Sequence, residues 1–230
     1  MLKVINIKNQ FELLWPGVCV AILIAISAKF LSNNYEVPSM LMAILIGMSL
    51  SFLSEEGKCI DGLNFSSKSI LYIGIILLGS RISLEMIMSI DPSVLIVIIL
   101  GVIFTIIFGL LILSFFGFTK RFGVLIGGAV AICGASAAMA IASVLPKDER
   151  SNERLSFVIL GVTIISTFCM IIYPIISNYL FMDNKTAGIF FGATIHDVAQ
   201  VIGAGFTISE ETGETATLIK LFRVSLLFPT

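Results

Sequence analysis

The sequence has 230 residues, of which 57% are hydrophobic and 13% are charged. A soluble domain carries roughly 25% charged residues, so this chain has about half the charge that a water-facing surface needs. The net charge of −1 excludes a strongly basic nucleic-acid binder, and the apolar runs lack the two-residue alternation of a membrane barrel. The composition predicts an all-α, polytopic membrane protein.

Apolar segments of about the ~20 residues that cross a bilayer follow one another along the chain. Lys3 and Lys8 precede the first run as in a signal peptide, but the further spans favour an uncleaved first helix. We predict a single transmembrane domain over residues 1–230, with spans near 13–31, 38–53, 69–90, 94–114, 123–145, 155–176 and 187–205, and the start of another near 216. The final apolar segment, 218–230, is too short to finish a span, so a C-terminally truncated sequence is expected.

The basic residues test the orientation of these spans. With a cytoplasmic N-terminus, Lys120 and Arg121 fall inside, as the positive-inside rule expects. A complete crossing by residues 123–145 would put the basic residues of the 147–154 loop outside, against the rule. A re-entrant segment removes this conflict, and a full crossing that is unwound midway is the alternative.

Two Gly/Ala-rich stretches, 127–140 and 188–205, interrupt the Leu/Ile/Phe-rich spans. Irregular backbone and ionisable groups are tolerated at membrane depth only where protein or a water-filled cavity covers them. A helix broken at Gly134 would expose N–H groups that can hold an anion, with Ser136 beside them. The alternative is a close contact between helices that binds no ligand.

The second stretch contains the only histidine of the chain, His196, next to Asp197. On a helix His196 would share a face with Gln200, and Thr194 lies close by as a neutral donor. A histidine beside a carboxylate can exchange protons during transport. The alternative is structural: the pair bonds a neighbouring helix or caps a broken one.

The remaining candidates are weaker. Arg81 could belong to an anion path or reach from the end of a span to the interface, and the same two interpretations apply to Lys220 and Arg223. The four cysteines form no C-x-x-C pair and the chain has one histidine, so neither a metal nor a cofactor is predicted. Cys133 is the candidate nucleophile of the alternative in which the protein is a membrane-embedded enzyme.

The order of these motifs resembles the bacterial YeiH-type family of inner-membrane transporters, for which sulfate export is the suggested activity. The resemblance rests on Gly-Ser-Arg at 79–81, Ile-Cys-Gly-Ala-Ser-Ala at 132–137, Ile-His-Asp-Val-Ala-Gln-Val at 195–201 and Lys-Leu-Phe-Arg-Val at 220–224. It implies a secondary carrier distantly akin to cation/proton antiporters and bile-acid symporters, with inverted repeats and crossed broken helices. Family members continue past the last motif with further helices.

These observations predict a secondary transporter of a small anion in the bacterial inner membrane, with coupling to protons or another ion left open, and not an enzyme. Expected partners are the anionic solute and membrane lipid, with no nucleic acid; a homo-oligomer is left open. His196 and Asp197 would couple protons or supply polarity, Gln200 and Thr194 would donate hydrogen bonds, and the 134–136 backbone would hold the anion. A cation/proton antiporter-like carrier and a non-transporting receptor or scaffold are the alternatives.

Overall fold

Every regular element in the described part of the chain is helical, which confirms the predicted all-α fold. The computed structural model describes residues 7–35, 39–55, 57–80, 88, 90–146 and 148–227. Three helices are long and apolar enough to cross a membrane: Glu12–Tyr35, Pro92–Phe115 and Ser151–Tyr179. The chain divides into two compact units, residues 1–81 and 82–230.

The first unit consists of one long helix and several short ones. Its elements are α1 (Ile7–Tyr35), α2 (Ser39–Ser49), a 3₁₀ turn (Ser51–Ser54), α3 (Ile60–Phe65), a π-turn (Ser66–Ile70) and α4 (Leu71–Ser80). Helices α1 and α3 touch at two glycines, because a Cβ on Gly62 would lie 2.7 Å from the Cα of Gly17. The predicted span 69–90 is described as a helix up to Ser80, and Arg81 lies outside the described residues.

The second unit contains two long helices and two broken ones. Its elements are α5 (Pro92–Phe115), α6 (Lys120–Ala131), α7 (Ala135–Val144), α8 (Ser151–Tyr179), α9 (Asn184–Thr194), α10 (Val198–Ile208) and α11 (Glu210–Ser225). Helix α5 begins at Pro92, two residues before the start of the predicted span near 94–114: Asp91 accepts a hydrogen bond from the Ser93 N–H at 2.8 Å, and Pro92 occupies the first turn.

Helices α6 and α7 form the first hairpin (residues 120–144), which folds back on itself. A Cβ on Gly128 would collide with the Cδ1 of Ile141, thirteen positions later. Arg121, at the start of α6, lines the same small pocket as Leu145, just after α7. A straight helix would separate such residues by about 1.5 Å per position, so the segment folds back on itself instead of continuing in one direction.

Helices α9 and α10 form the second hairpin (residues 184–208), and their contacts with α11 show in which direction each of the two helices runs. A Cβ on Gly188 would meet Thr215 and one on Gly192 would meet Ile219, so α9 runs parallel to α11. A Cβ on Gly205 would meet Gly213 just after the α10–α11 turn, so α10 runs antiparallel to α11. Residues 187–205, which the sequence predicts as one span, therefore fold back as a hairpin and do not run in a single direction.

The hairpins enter from opposite ends of α8 and meet near its middle. The first hairpin ends just before α8 begins, and the second begins just after α8 ends. A Cβ on Gly134 of the first hairpin would lie 3.0 Å from Val162, and the Asp197 N–H of the second donates to Ser166 Oγ at 3.2 Å. Helix α8 has 29 residues, about 43 Å of helix, and both contacts fall halfway along it.

Candidate functional site

The candidate site lies where the two hairpin tips meet. The first tip comprises residues 132–134 and the second residues 195–197, between the helices of each hairpin. A Cβ on Gly134 would lie 3.6 Å from the Cβ of His196, so the tips are in van der Waals contact. Gly134 has a φ of +67°, which glycine adopts at no steric cost, and this residue turns the chain from α6 into α7.

Lys220 of α11 connects the two tips. Its Nζ donates to the Ile132 carbonyl of the first tip at 2.9 Å and to the Ile195 carbonyl of the second at 2.8 Å. The side chain has 0% of its surface exposed. A buried ammonium is tolerated when it is hydrogen-bonded, and here two of its donors bond main-chain carbonyls that the breaks in the helices would otherwise leave unpaired.

Arg223 lies one turn further along α11 and contacts the same two hairpins. Its Nε and Nη2 donate to the Ala131 and Val130 carbonyls at 2.5 and 2.7 Å, and its Nη1 donates to the Ala193 carbonyl at 2.7 Å. These carbonyls end α6 and α9. Cations stabilise the negative, C-terminal ends of helices, so the two basic side chains compensate both broken helices.

Asp197 caps α10. Its Oδ1 accepts hydrogen bonds from the Ala199 and Gln200 N–H groups at 2.8 and 3.4 Å. The prediction that places His196 on a helical face shared with Gln200 is wrong, because residues 195–197 are not helical. The Asp197 carboxylate accepts hydrogen bonds from first-turn N–H groups of α10 and so caps the helix that follows the break. This is the structural alternative that the sequence left open.

The polar side chains of the second tip contact α8 or their own helix. Gln200 Nε2 donates to Thr167 Oγ1 at 2.9 Å, and Thr194 Oγ1 donates to the Phe190 carbonyl at 2.5 Å. In the described part of the chain, two buried side-chain atoms lack a hydrogen-bond partner, and both belong to this region: His196 Nδ1 and Gln200 Oε1.

The first tip offers main-chain donors. Helix α7 begins after Gly134 without a side-chain cap, and Ser136 in its first turn is exposed. The N–H groups of a helix N-terminus attract anions. Cys133, the candidate nucleophile of the enzyme alternative, is a free thiol with 3% of its surface exposed.

The tips bring together most of the residues singled out in the sequence. Eight of them lie at or beside the tips: Cys133, Gly134, Ser136, Thr194, His196, Asp197, Gln200 and Arg223. The ninth, Arg81, lies outside the described residues. That these residues bind a solute stays a prediction.

Sequence reasoning gave Lys220 two open interpretations and did not single out Ser166 or Thr167. The three-residue spacing of Lys220 and Arg223, which puts both cations on one helical face, was the available signal. Ser and Thr within a long apolar helix gave none. No group of three potential metal ligands occurs among the residues that the structure describes.

Comparison with known proteins gives the family. The family model described as "Conserved hypothetical protein 698" matches residues 16–230. A UPF0324 membrane protein of Rhizobium meliloti is 50% identical over 93% of this chain and 62% of its own length. One of Chlorobaculum tepidum is 50% identical over 96% of the chain and 62% of its own length. The UPF0324 membrane protein TauZ of Paracoccus pantotrophus is 47% identical over 96% of the chain and 66% of its own length.

These similarities cover nearly the whole chain, but the chain spans slightly less than two thirds of the length of these relatives. No solved structure matches the chain. The names of these relatives describe membrane proteins and state no substrate.

Proposed function

The chain belongs to the family described as Conserved hypothetical protein 698, whose curated relatives are named membrane proteins, and from this premise we propose that it carries a small anion across the bacterial inner membrane as a multi-pass secondary transporter. The observation that carries the proposal is the meeting of two oppositely inserted hairpin tips halfway along α8. Secondary transporters bind their solutes near the middle of the membrane, between discontinuous helices.

The cost of the broken backbone supports this proposal. Non-helical main chain at membrane depth persists only where protein buries it or where it lines a cavity. In this unit Lys220 and Arg223 bind the carbonyls at both breaks. Gly134 offers no side-chain cap to the N–H groups at the start of α7, and the Cys133 thiol contacts one of them, that of Ala137. A solute that accepts hydrogen bonds would satisfy the others.

The charge of the region favours an anion. Two cations, Lys220 and Arg223, lie at the tips with one carboxylate, Asp197. The cations neutralise helix C-termini, while the positive N-terminus of α7 has no side-chain cap from its N-cap residue, Gly134. The alternative of a cation/proton exchanger would require a carboxylate free to bind the cation, whereas Asp197 caps α10.

The distribution of basic residues supports an orientation. Lys120, Arg121, Arg150 and Arg154 lie at the end of α8 where the first hairpin opens, and Lys185 lies at the other end. By the positive-inside rule, the first hairpin opens toward the cytoplasm and the second toward the periplasm. The re-entrant geometry removes the conflict that a full crossing by residues 123–145 would create.

Flux through reconstituted vesicles tests the proposal. Purified protein in proteoliposomes is expected to exchange at least one labelled small anion from a panel of oxyanions and organic sulfonates, and His196→Ala is expected to slow the exchange about tenfold or more, as when a buried polar contact is lost. Thr207→Val is the matched control, because Thr207 lies on the same hairpin and bonds only within α10 in the described contacts. Ligand binding without flux would indicate a receptor, and cation-driven proton movement without anion flux would indicate an exchanger; either result overturns the proposal.

A further inference from the structure

The orientation of the Gln200 side-chain amide is fixed by a chain of hydrogen bonds. Thr167 Oγ1 donates its proton to the Thr163 carbonyl at 2.8 Å. A hydroxyl has one proton, so toward Gln200 it can only accept. The group of Gln200 that lies 2.9 Å from Thr167 Oγ1 is therefore the NH₂ group, and the amide oxygen points elsewhere.

That oxygen is a buried acceptor without a donor. Gln200 has 7% of its surface exposed, and its Oε1 has no hydrogen-bond partner among the described residues. Folded proteins rarely leave a buried polar atom unpaired, because the loss of its water is not compensated. The neighbouring His196 Nδ1 is likewise a buried atom without a hydrogen-bond partner among the described residues. Both atoms flank Asp197, and the first tip packs against His196.

We infer that the solute carries an O–H or N–H donor in addition to its negative charge, and that Gln200 Oε1 accepts this donor. The inference rests on the proposed function, in which the α7 N-terminus receives the anionic group. The two tips then have different roles. The first supplies donors to the charge, and the second supplies an acceptor that selects a protonated or hydroxyl- or amino-bearing molecule. His196 Nδ1 can accept or donate, according to its tautomer.

This assignment defines a substrate class. Monoprotonated oxyanions and small sulfonates or carboxylates that carry a hydroxyl or amino group have the required donor. Fully ionised sulfate has none, and neither does an alkyl sulfonate. A site built to bond a donor group rejects the analogue that lacks it far more strongly than an apolar pocket rejects a missing methylene.

Equilibrium binding to the purified chain in detergent tests the inference. The probes are 2-hydroxyethanesulfonate and ethanesulfonate, which share the anionic group and differ by the hydroxyl. The hydroxylated compound is expected to bind roughly tenfold or more tightly, as when a buried acceptor keeps its donor. Thr167→Val frees the amide to turn, so the affinity ratio is expected to fall toward one. Thr163→Val is the matched control and should keep the ratio, because it leaves the Thr163 carbonyl in place.

Equal binding of the two sulfonates by the unaltered chain, or no binding of either, overturns the inference, as does an unchanged ratio in Thr167→Val. If Thr167→Val does not fold, Gln200→Met replaces it and should lower the affinity for the hydroxylated probe to that of ethanesulfonate. The proposed function fails separately. Selective binding without flux in vesicles contradicts transport and leaves donor recognition standing, whereas equal flux of both sulfonates contradicts donor recognition and leaves transport standing.

Discussion

At the scale of single residues, Gly134 determines how the first hairpin turns. Its φ of +67° and ψ of −120° are accessible to glycine and strained for other residues. A Cβ there would also lie 3.0 Å from Val162 Cγ1. One atom would thus disturb both the backbone and its contact with α8.

Gly134→Ala is expected to destabilise the protein by roughly 1–3 kcal/mol, the cost of a strained backbone conformation. Thermal unfolding in detergent measures the change as a lower Tm. Gly161→Ala on α8 is the control, since a Cβ at Gly161 meets nothing within 4 Å. Equal Tm values for the two variants would contradict the strain assigned to position 134.

Lys220 is the second residue on which the tips depend. Lys220→Met keeps the length of the side chain and removes its donors, so the Ile132 and Ile195 carbonyls lose the partner that joins them. We expect a lower Tm, because each unpaired buried acceptor costs roughly 1–3 kcal/mol. The exposed Arg150, changed to Met, serves as the control. A Lys220→Met variant as stable as the unaltered protein would show that the carbonyls find other partners.

At the scale of helices, close packing of α5 and α6 relies on small residues. A Cβ on Gly109 would lie 2.8 Å from the Cα of Gly127, whereas one on Gly101, also on α5, meets nothing within 4 Å. Without a hydrophobic driving force in lipid, helices associate through such close backbone contacts.

Gly109→Ala is therefore expected to push α5 from α6 and lower stability by about 1–3 kcal/mol, the usual cost of overpacking. Gly101→Ala should leave stability unchanged or raise it slightly, because alanine favours the helix. Chemical or thermal unfolding of the two variants side by side provides the measurement. The interpretation fails if Gly101→Ala is the more damaging change.

The start of α9 provides a pH-dependent cap. The pKa of the Asp183 carboxyl lies below its ordinary value of 3.8. The main cause is a hydrogen bond from the Thr186 side chain, and a second hydrogen bond from the Thr186 main-chain N–H lowers the pKa further. Because the folded-state pKa is depressed, the stabilisation is complete above the ordinary value and is lost as pH falls through the lower folded value.

Unfolding measured from neutral pH to about pH 3 should accordingly show Asp183→Ala less stable than the unaltered protein at neutral pH, with the gap narrowing in acid. Asp183→Asn keeps an acceptor at the cap and does not titrate, so its stability should lack this component of the pH dependence. A gap that stays constant with pH would show that the charge of Asp183 does not contribute.

At the scale of the whole second unit, two hairpins open toward opposite ends of α8. In a background without the four native cysteines, single cysteines at Thr119 and Glu149 flank the first hairpin, and one at Tyr179 marks the other end of α8. A membrane-impermeant maleimide should label positions 119 and 149 from the same, cytoplasmic side and position 179 from the other. Labelling of 119 and 149 from opposite sides would show that the segment crosses the membrane.

Composition and local pattern predicted much of the architecture. Charge content and uninterrupted apolar runs predicted the helical class, and α5 begins within two residues of its predicted start near 94, where a carboxylate cap and a proline fit the first turn. The Gly/Ala stretches indicated broken backbone, and the break at Gly134 lies where the sequence suggests. Counting basic residues left residues 123–145 either re-entrant or unwound midway, and the structure shows this segment folded back on itself. The single transmembrane domain, the inverted repeat and the solute stay predictions.

What the sequence determined by itself was local: where helices can form, where glycine or a capping carboxylate interrupts them, and which segments are too apolar for water. Only the tertiary structure decided that residues 187–205 fold back, because that direction is set by contacts of Gly188, Gly192 and Gly205 with a later helix. It also decided that Lys220 joins residues 88 and 25 positions away. Such pairings follow from packing between distant segments, which helical periodicity does not encode.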